Sequence, residues 1–254
     1  MVSAAQLLRR GVRSISAGAL GLIYPPTCAG CGAATADPHA LCPRCWSSLR
    51  LIEQPYCPRL GTPFPVDLGL GPLLSPRAIA DPPVFGRARA VALYDDVARD
   101  LVHRLKYEDR LDLAAPMARM MASAGAELLR EADCLIPVPL HWTRLWRRRF
   151  NQAALLGRGI GRIASLPCET SLLARVKATR SQVGLSRAAR ATNLQGAFRV
   201  PASAKPRLQG RRILLIDDVT TTGSTANAAS RVLLRGGAAS VDVLTFALVA
   251  AEAG

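Results

Sequence analysis

The sequence predicts an α/β fold, a doubly wound and mainly parallel sheet, with a small cysteine-rich ribbon at its amino-terminal end. Three observations predict it. From residue 87 onward, short aliphatic runs alternate with helix-length segments, the pattern of parallel strands joined by crossover helices. One of these runs, Ile213 to Ile216, has four aliphatic residues without a polar break, as a strand buried on both faces requires. Residues 28–45 carry two Cys-x-x-Cys pairs, the spacing of paired metal-binding turns.

Taken in order, residues 1–54 read as the ribbon with a leading helix. Arg9, Arg10 and Arg13 followed by the apolar stretch Ile15 to Tyr24 mimic an export signal. The stretch is broken by Gly18 and Gly21, however, and runs into the cysteines rather than a cleavage site. The expectation is a short amphipathic helix and a cytoplasmic protein. Cys28, Cys31, Cys42 and Cys45 supply four thiolates, enough to close a tetrahedral structural Zn²⁺ site. Two disulfides would need an oxidising compartment, and a redox motif would need only one pair. His39, between the pairs, reads as a loop residue; Cys134 and Cys168 read as small buried hydrophobes.

Residues 55–86 read as a linker or irregular lobe, because 8 of the 18 prolines fall between 55 and 83. The main domain, 87–254, begins with a strand at 88–94 and helices near 96–107 and 112–131. A strand at 134–138, a helix at 151–164 and a basic segment at 175–192 follow. The strand 212–216, the helix 225–236 and the strand 240–248 close the chain. No internal repeat is evident. No apolar run reaches the roughly 18–20 residues that span a bilayer.

The formal net charge is +15, and it is concentrated: residues 144–190 hold 11 Lys or Arg against one acid, Glu169. Such a field attracts polyanions, whether nucleic acid, pyrophosphate or acidic headgroups. Within it, Arg144, Arg147, Arg148 and Arg149 follow a proline-rich strand exit, and arginine forks suit phosphate oxygens.

The most informative segment is Ile213 to Thr225. Asp217 and Asp218 stand where the strand would leave the sheet, followed by Thr220, Thr221, Thr222, Gly223, Ser224 and Thr225 at the start of the next helix. In open α/β sheets, ligands bind beyond the carboxyl ends of the strands. A helix start with free amides and hydroxyls favours phosphate. A Walker phosphate loop is excluded, because Gly-x-x-x-x-Gly-Lys-Ser/Thr does not occur.

This segment resembles the phosphoribosyl pyrophosphate (PRPP) motif of type I phosphoribosyltransferases. The full order of motifs resembles the competence protein F (ComF) family. The matching pieces are the two cysteine pairs, His103-Arg-Leu-Lys-Tyr107, Pro137-Val-Pro-Leu-His141, Arg149-Phe-Asn-Gln152, Thr179 to Asn193, and the Asp217–Thr225 loop. Two departures stand out: Cys57-Pro-Arg-Leu60 keeps one cysteine where members often have a second pair, and Arg149 stands where they often have Gly. The resemblance implies a type I phosphoribosyltransferase-like domain behind a zinc ribbon and a link to DNA uptake. It implies that Asp217 and Asp218 meet the ribose hydroxyls and that Thr220 to Thr225 hold the 5′-phosphate, with Mg²⁺ bridging pyrophosphate and ribose. It makes Lys106, Arg147 and Arg148 the groups that neutralise departing pyrophosphate, with 177–193 as a mobile hood. The sequence offers no cysteine at position 2 and no other obvious amide-hydrolysing nucleophile, so a glutamine amidotransferase half is not expected. Three functions stay open: phosphoribosyl transfer from PRPP to an unidentified acceptor, a non-catalytic accessory that holds single-stranded DNA and docks competence machinery through the ribbon, or a PRPP-sensing regulator without catalysis.

Overall fold

The structure is a computed structural model that describes residues 26–37, 40–67, 69, 71, 73–178 and 194–249. The leading helix expected before Tyr24 and the hood from residue 179 on lie outside the described residues. The chain divides into two compact units, Met1–Ser48 and Leu49–Gly254.

In the first unit, Thr27 and Ala34 form an antiparallel bridge around the first cysteine turn. The second cysteine pair opens a short helix, α1 (Pro43–Ser47), with Cys42 as its cap and Pro43 at its first position, where a proline loses no hydrogen bond.

The second unit starts with residues 50–52 running along the outer edge of the sheet. Ile52 N–H donates to Val91 O, and Leu93 N–H to Arg50 O. Helix α2 (Pro76–Ala80) follows, capped by Ser75. The sheet has four parallel strands in the order β1 (Ala88–Leu93), β6 (Ser240–Leu248), β5 (Arg212–Thr220), β2 (Cys134–Pro137). Asp217 is level with Thr245, and Thr220 with Leu248.

Helices cover both faces. On one lie α4 (Ala114–Ala124) and α7 (Gln152–Ala164), with α3 (Asp96–Tyr107) preceding them. In α7 the buried positions Ala153, Leu156, Gly157, Ile160 and Gly161 follow helical spacing. Its glycines allow close approach: a Cβ on Gly159 would come within 2.7 Å of Ala118 Cβ. On the other face α9 (Ser224–Arg235) buries Ala226, Ala229 and Leu233. There they join a cluster that includes Ile136, Ile213, Leu215, Val241, Val243 and Phe85.

Strand β6 and helix α3 keep their expected limits, while β5 runs on to Thr220, four residues past its expected end. The single helix expected over 112–131 is a 3₁₀ turn, α4 and α5 (Ala126–Glu131), broken at Gly125. A Cβ on Gly125 would come within 2.7 Å of a Leu244 methyl, so sheet contact sets the break. The structure adds helix α6 (Trp142–Arg148), a two-residue antiparallel pair β3 (Ala174–Arg175) and β4 (Phe198–Arg199), and helix α8 (Lys205–Leu208). No helix among the described residues is long and apolar enough to cross a membrane.

Candidate functional site

The carboxyl ends of β5 and β2 open into a crevice of about 420 Å³. Asp217, Asp218, Thr220 and Thr221 line it from β5 and its loop, and Gly223, Ser224 and Thr225 from the start of α9. Gly223 has φ 75°, a left-handed conformation that glycine adopts without a Cβ penalty. That turn brings the first amides of α9 to the crevice. Thr222 differs: its hydroxyl lies 2.8 Å from Ser224 Oγ, and its carbonyl accepts from Arg77 behind the loop.

Helix α3 delivers Lys106 from the side. Leu101, Val102 and Leu105 anchor the helix in the core, which leaves the next position directed at the carboxylates. Lys106 Nζ lies 2.7 Å from Asp218 Oδ2, with the two side chains 22% and 10% exposed. Burial works against the ammonium, but the charges of Asp218 and Asp217 outweigh it and raise its pKa. Asp217 goes the other way for a carboxylate. Burial, followed by the charge of Asp218, pushes its pKa up to about 7 despite Lys106.

Cationic side chains line the crevice as well. Arg144 and Arg148 come from α6 and Arg175 from β3. Burial, then the charge of Arg144, lowers the Arg175 pKa to about 10. Arg148 donates to Tyr107 Oη at 3.0 Å and stacks on that ring. Asn151 caps α7 through Ala153 N–H and donates to Val138 O at 3.0 Å, pinning the loop to the strand exit. Gln152 also lines the crevice, is 2% exposed, and has no hydrogen-bond partner for its Nε2.

The crevice therefore gathers Asp217, Asp218, Lys106, Arg148, Thr220, Thr221, Gly223, Ser224 and Thr225. Arg147 is placed elsewhere, on an outer surface with Trp142, Leu145, Trp146 and Arg149. Arg175 is the residue that motif reading missed; its signal was only its place in the basic segment. Arg149 has φ 63°, so it keeps the backbone shape that glycine would take.

The four thiolates form a separate centre in the first unit. Their sulfurs all lie within 4.8 Å of one another, the crowding that ligands around one Zn²⁺ show at ~2.3 Å metal–sulfur distance. Burial pushes the Cys28 thiol up, but N–H groups of Cys42, Cys31 and Gly30 aimed at its sulfur bring its pKa down to about 6. Burial and the other thiols push Cys45 up to about 12. Such a cluster ionises fully only around a cation, and the site is consistent with structural zinc.

A family model described as a double zinc ribbon domain matches residues 19–74. Glutamine PRPP amidotransferase from B. subtilis, solved with ADP and GMP, aligns with 56% of this chain and 30% of its own at 18% identity. Its TM-score of 0.35 is too low to carry an argument. Fold and site together define a doubly wound α/β protein with an acidic, hydroxyl-rich crevice at its strand ends and a four-cysteine ribbon. The chain is 33% identical over 229 residues to the DNA utilization protein YhgH of Escherichia coli strain K12, covering 87% of this chain and 96% of that one. It is 30% identical over 210 residues to competence protein F of Haemophilus influenzae, covering 81% and 89%. The chain belongs to this competence protein F/YhgH family.

Proposed function

We propose that the crevice binds PRPP as its Mg²⁺ complex and that the protein transfers the phosphoribosyl group in the service of DNA utilisation. The observation that carries this is one juxtaposition: a carboxylate pair and a left-handed glycine turn at a helix start line one cavity together with three arginines. Asp217 and Asp218 accept hydrogen bonds from the ribose hydroxyls. The amides and hydroxyls from Thr221 to Thr225 take the 5′-phosphate. Asp217 and Asp218 would also be the groups to hold Mg²⁺, which when bound would supply positive charge to the polyphosphate. Arg144, Arg148, Arg175 and Lys106 lower the cost of the charge that builds on pyrophosphate as the C1′–O bond breaks and the acceptor's lone pair bonds to C1′. Gln152 Nε2 offers one more donor to that group.

Calorimetric titration of PRPP tests the reading. Binding that requires Mg²⁺ and disappears in Asp217→Asn/Asp218→Asn is the expected result; binding unaffected by the double variant would overturn it.

A second reading has its own observation. Trp142 and Trp146 are 70% and 85% exposed and share an outer surface with Leu145, Arg147 and Arg149. Exposed indoles beside guanidinium groups form a stacking platform for single-stranded nucleic acid. Single-stranded DNA binding that weakens steeply with salt and with Trp146→Ala supports it; binding indifferent to Trp146 would overturn it.

A further inference from the structure

The double-ribbon match runs to residue 74, well past the four-cysteine centre, and only Cys57 remains of a second set of ligands. The backbone nevertheless repeats. In the first ribbon Thr27 bridges Ala34, Cys28 N–H donates to Ala33 O, and Gly32 N–H donates to Cys28 O. At the second position Tyr56 bridges Pro63, Cys57 N–H donates to Thr62 O, and Gly61 N–H donates to Cys57 O. Gly32 and Gly61 share left-handed φ values of 78° and 67°.

The other half of each ribbon repeats as well. Cys42 N–H donates to Cys28 Sγ at 3.1 Å, and Cys42 caps helix α1. Ser75 N–H donates to Cys57 Sγ at 3.3 Å, and Ser75 caps helix α2. Cys28, Cys31, Cys42 and Cys45 thus correspond to Cys57, Leu60, Ser75 and Ala78. The shared Pro-Arg dipeptides, Pro43-Arg44 and Pro76-Arg77, complete the match. The segment expected to be a linker or irregular lobe repeats the turns of the first ribbon, and the repeat lies in its hydrogen bonds. It does not fit zinc, because one thiol, a leucine, a serine and an alanine cannot close a tetrahedral shell. Instead Leu60 packs against the apolar cluster, and Cys57, Ser75 and Ala78 are buried.

What this ribbon holds is the loop at the crevice. Arg44 is exposed, whereas its counterpart Arg77 donates through a guanidinium nitrogen to the Thr222 carbonyl. Just past α2, Val84 N–H donates to Asn227 Oδ1 at 2.8 Å, in the first turn of α9. Arg59, from the first turn of the same ribbon, donates to Pro83 O and Phe85 O and fixes that connecting segment. Thr220, Thr221 and Gly223 to Thr225 line the crevice, while Thr222 points its carbonyl at Arg77.

We propose that the second ribbon has exchanged its metal for a bracing task, with Arg77 as the positioning residue that sets the Thr221–Thr225 loop for phosphate. This rests on the phosphate reading of the loop, and the test keeps the two apart. Metal analysis of the full chain should give one zinc per molecule, and Leu60→Cys/Ser75→Cys/Ala78→Cys should raise it to two. A second zinc in the unmodified protein would overturn the metal-free assignment. In the ligand-free protein, Arg77→Ala should speed amide exchange at residues 220–226 by about tenfold, the size of one charge-assisted hydrogen bond, with Arg77→Lys recovering part of the protection. Unchanged exchange would overturn the bracing whether or not PRPP binds. Where the unmodified protein binds Mg²⁺–PRPP, Arg77→Ala should weaken it by about tenfold as well, with zinc content constant. Full affinity in Arg77→Ala would sink the positioning role, whereas no binding by the unmodified protein would sink only the phosphate reading.

Discussion

Removing the ammonium of Lys106 should destabilise the protein through the charges it leaves behind. Lys106 Nζ sits 2.7 Å from Asp218 Oδ2, and both side chains are mostly withdrawn from water. Breaking one partner from a buried pair costs about 3–5 kcal/mol. The 22% exposure of Lys106 admits solvent to the bared carboxylate, which brings the estimate for Lys106→Met to about 2–3 kcal/mol. For a unit of this size that is a fall in Tm of about 5–10 °C. The double variant Lys106→Met/Asp218→Asn removes the stranded charge and should recover most of the loss, a coupling that a double-mutant cycle reads directly. Calorimetric melts of the four proteins without ligand, at pH 7.5 and constant salt, provide the assay. If Lys106→Met melts with wild type, or if the double variant is worse than either single one, the electrostatic argument fails.

Other expectations follow from the same geometry. Asp217 has a folded pKa raised to about 7 from an ordinary 3.8, so the folded state holds a proton that the unfolded chain has released. Its contribution to stability is therefore fully present at low pH and is lost as pH rises through about 4 to 7; melts of wild type and Asp217→Asn, which keeps the group neutral at every pH, should agree most closely at the acid end and separate toward pH 7, with the variant the more stable. Mg²⁺–PRPP affinity, which needs the ionised pair, should rise over the same window, and a flat profile would count against Asp217 as a ligand group. Chelating zinc, or Cys28→Ser, should abolish amide protection at residues 28–45, since structural zinc contributes folding energy; retained protection would refute the structural-zinc assignment. Arg149→Gly should stabilise by about 1 kcal/mol by relieving a left-handed non-glycine residue at the end of α6, and a lower Tm would refute it.

The elements that were legible in the sequence are those whose cause is local. Strand β6 and helix α3 match their expected limits because an apolar run, or the spacing of Ala98, Leu101, Val102 and Leu105, defines each one. Strand β5 ran past its expected end because β6 supplies partners for Asp217, Val219 and Thr220; the polar residues stay in the strand to line a crevice. Helix α6 was missed because it buries none of its residues and so has no amphipathic stripe. Arg175 reaches the crevice from a strand pair two residues long, too short to leave a pattern. The repeat around Cys57 was legible only as one cysteine at a position where family members often have a pair, because cysteines announce a ribbon and these turns carry one where the first ribbon carries four. Asp217 and the loop were readable because two carboxylates, a run of hydroxyls and a glycine at a strand-to-helix junction form a local pattern that needs no tertiary contact to be seen.

The position of the 5′-phosphate in a crystal of the protein with Mg²⁺ and PRPP tests the central claim most directly. The phosphate should lie against the amides of Thr221 to Thr225, with the ribose hydroxyls on Asp217 and Asp218. A phosphate lodged instead among Arg147, Arg149 and the exposed tryptophans, with the β5 loop untouched, would contradict it.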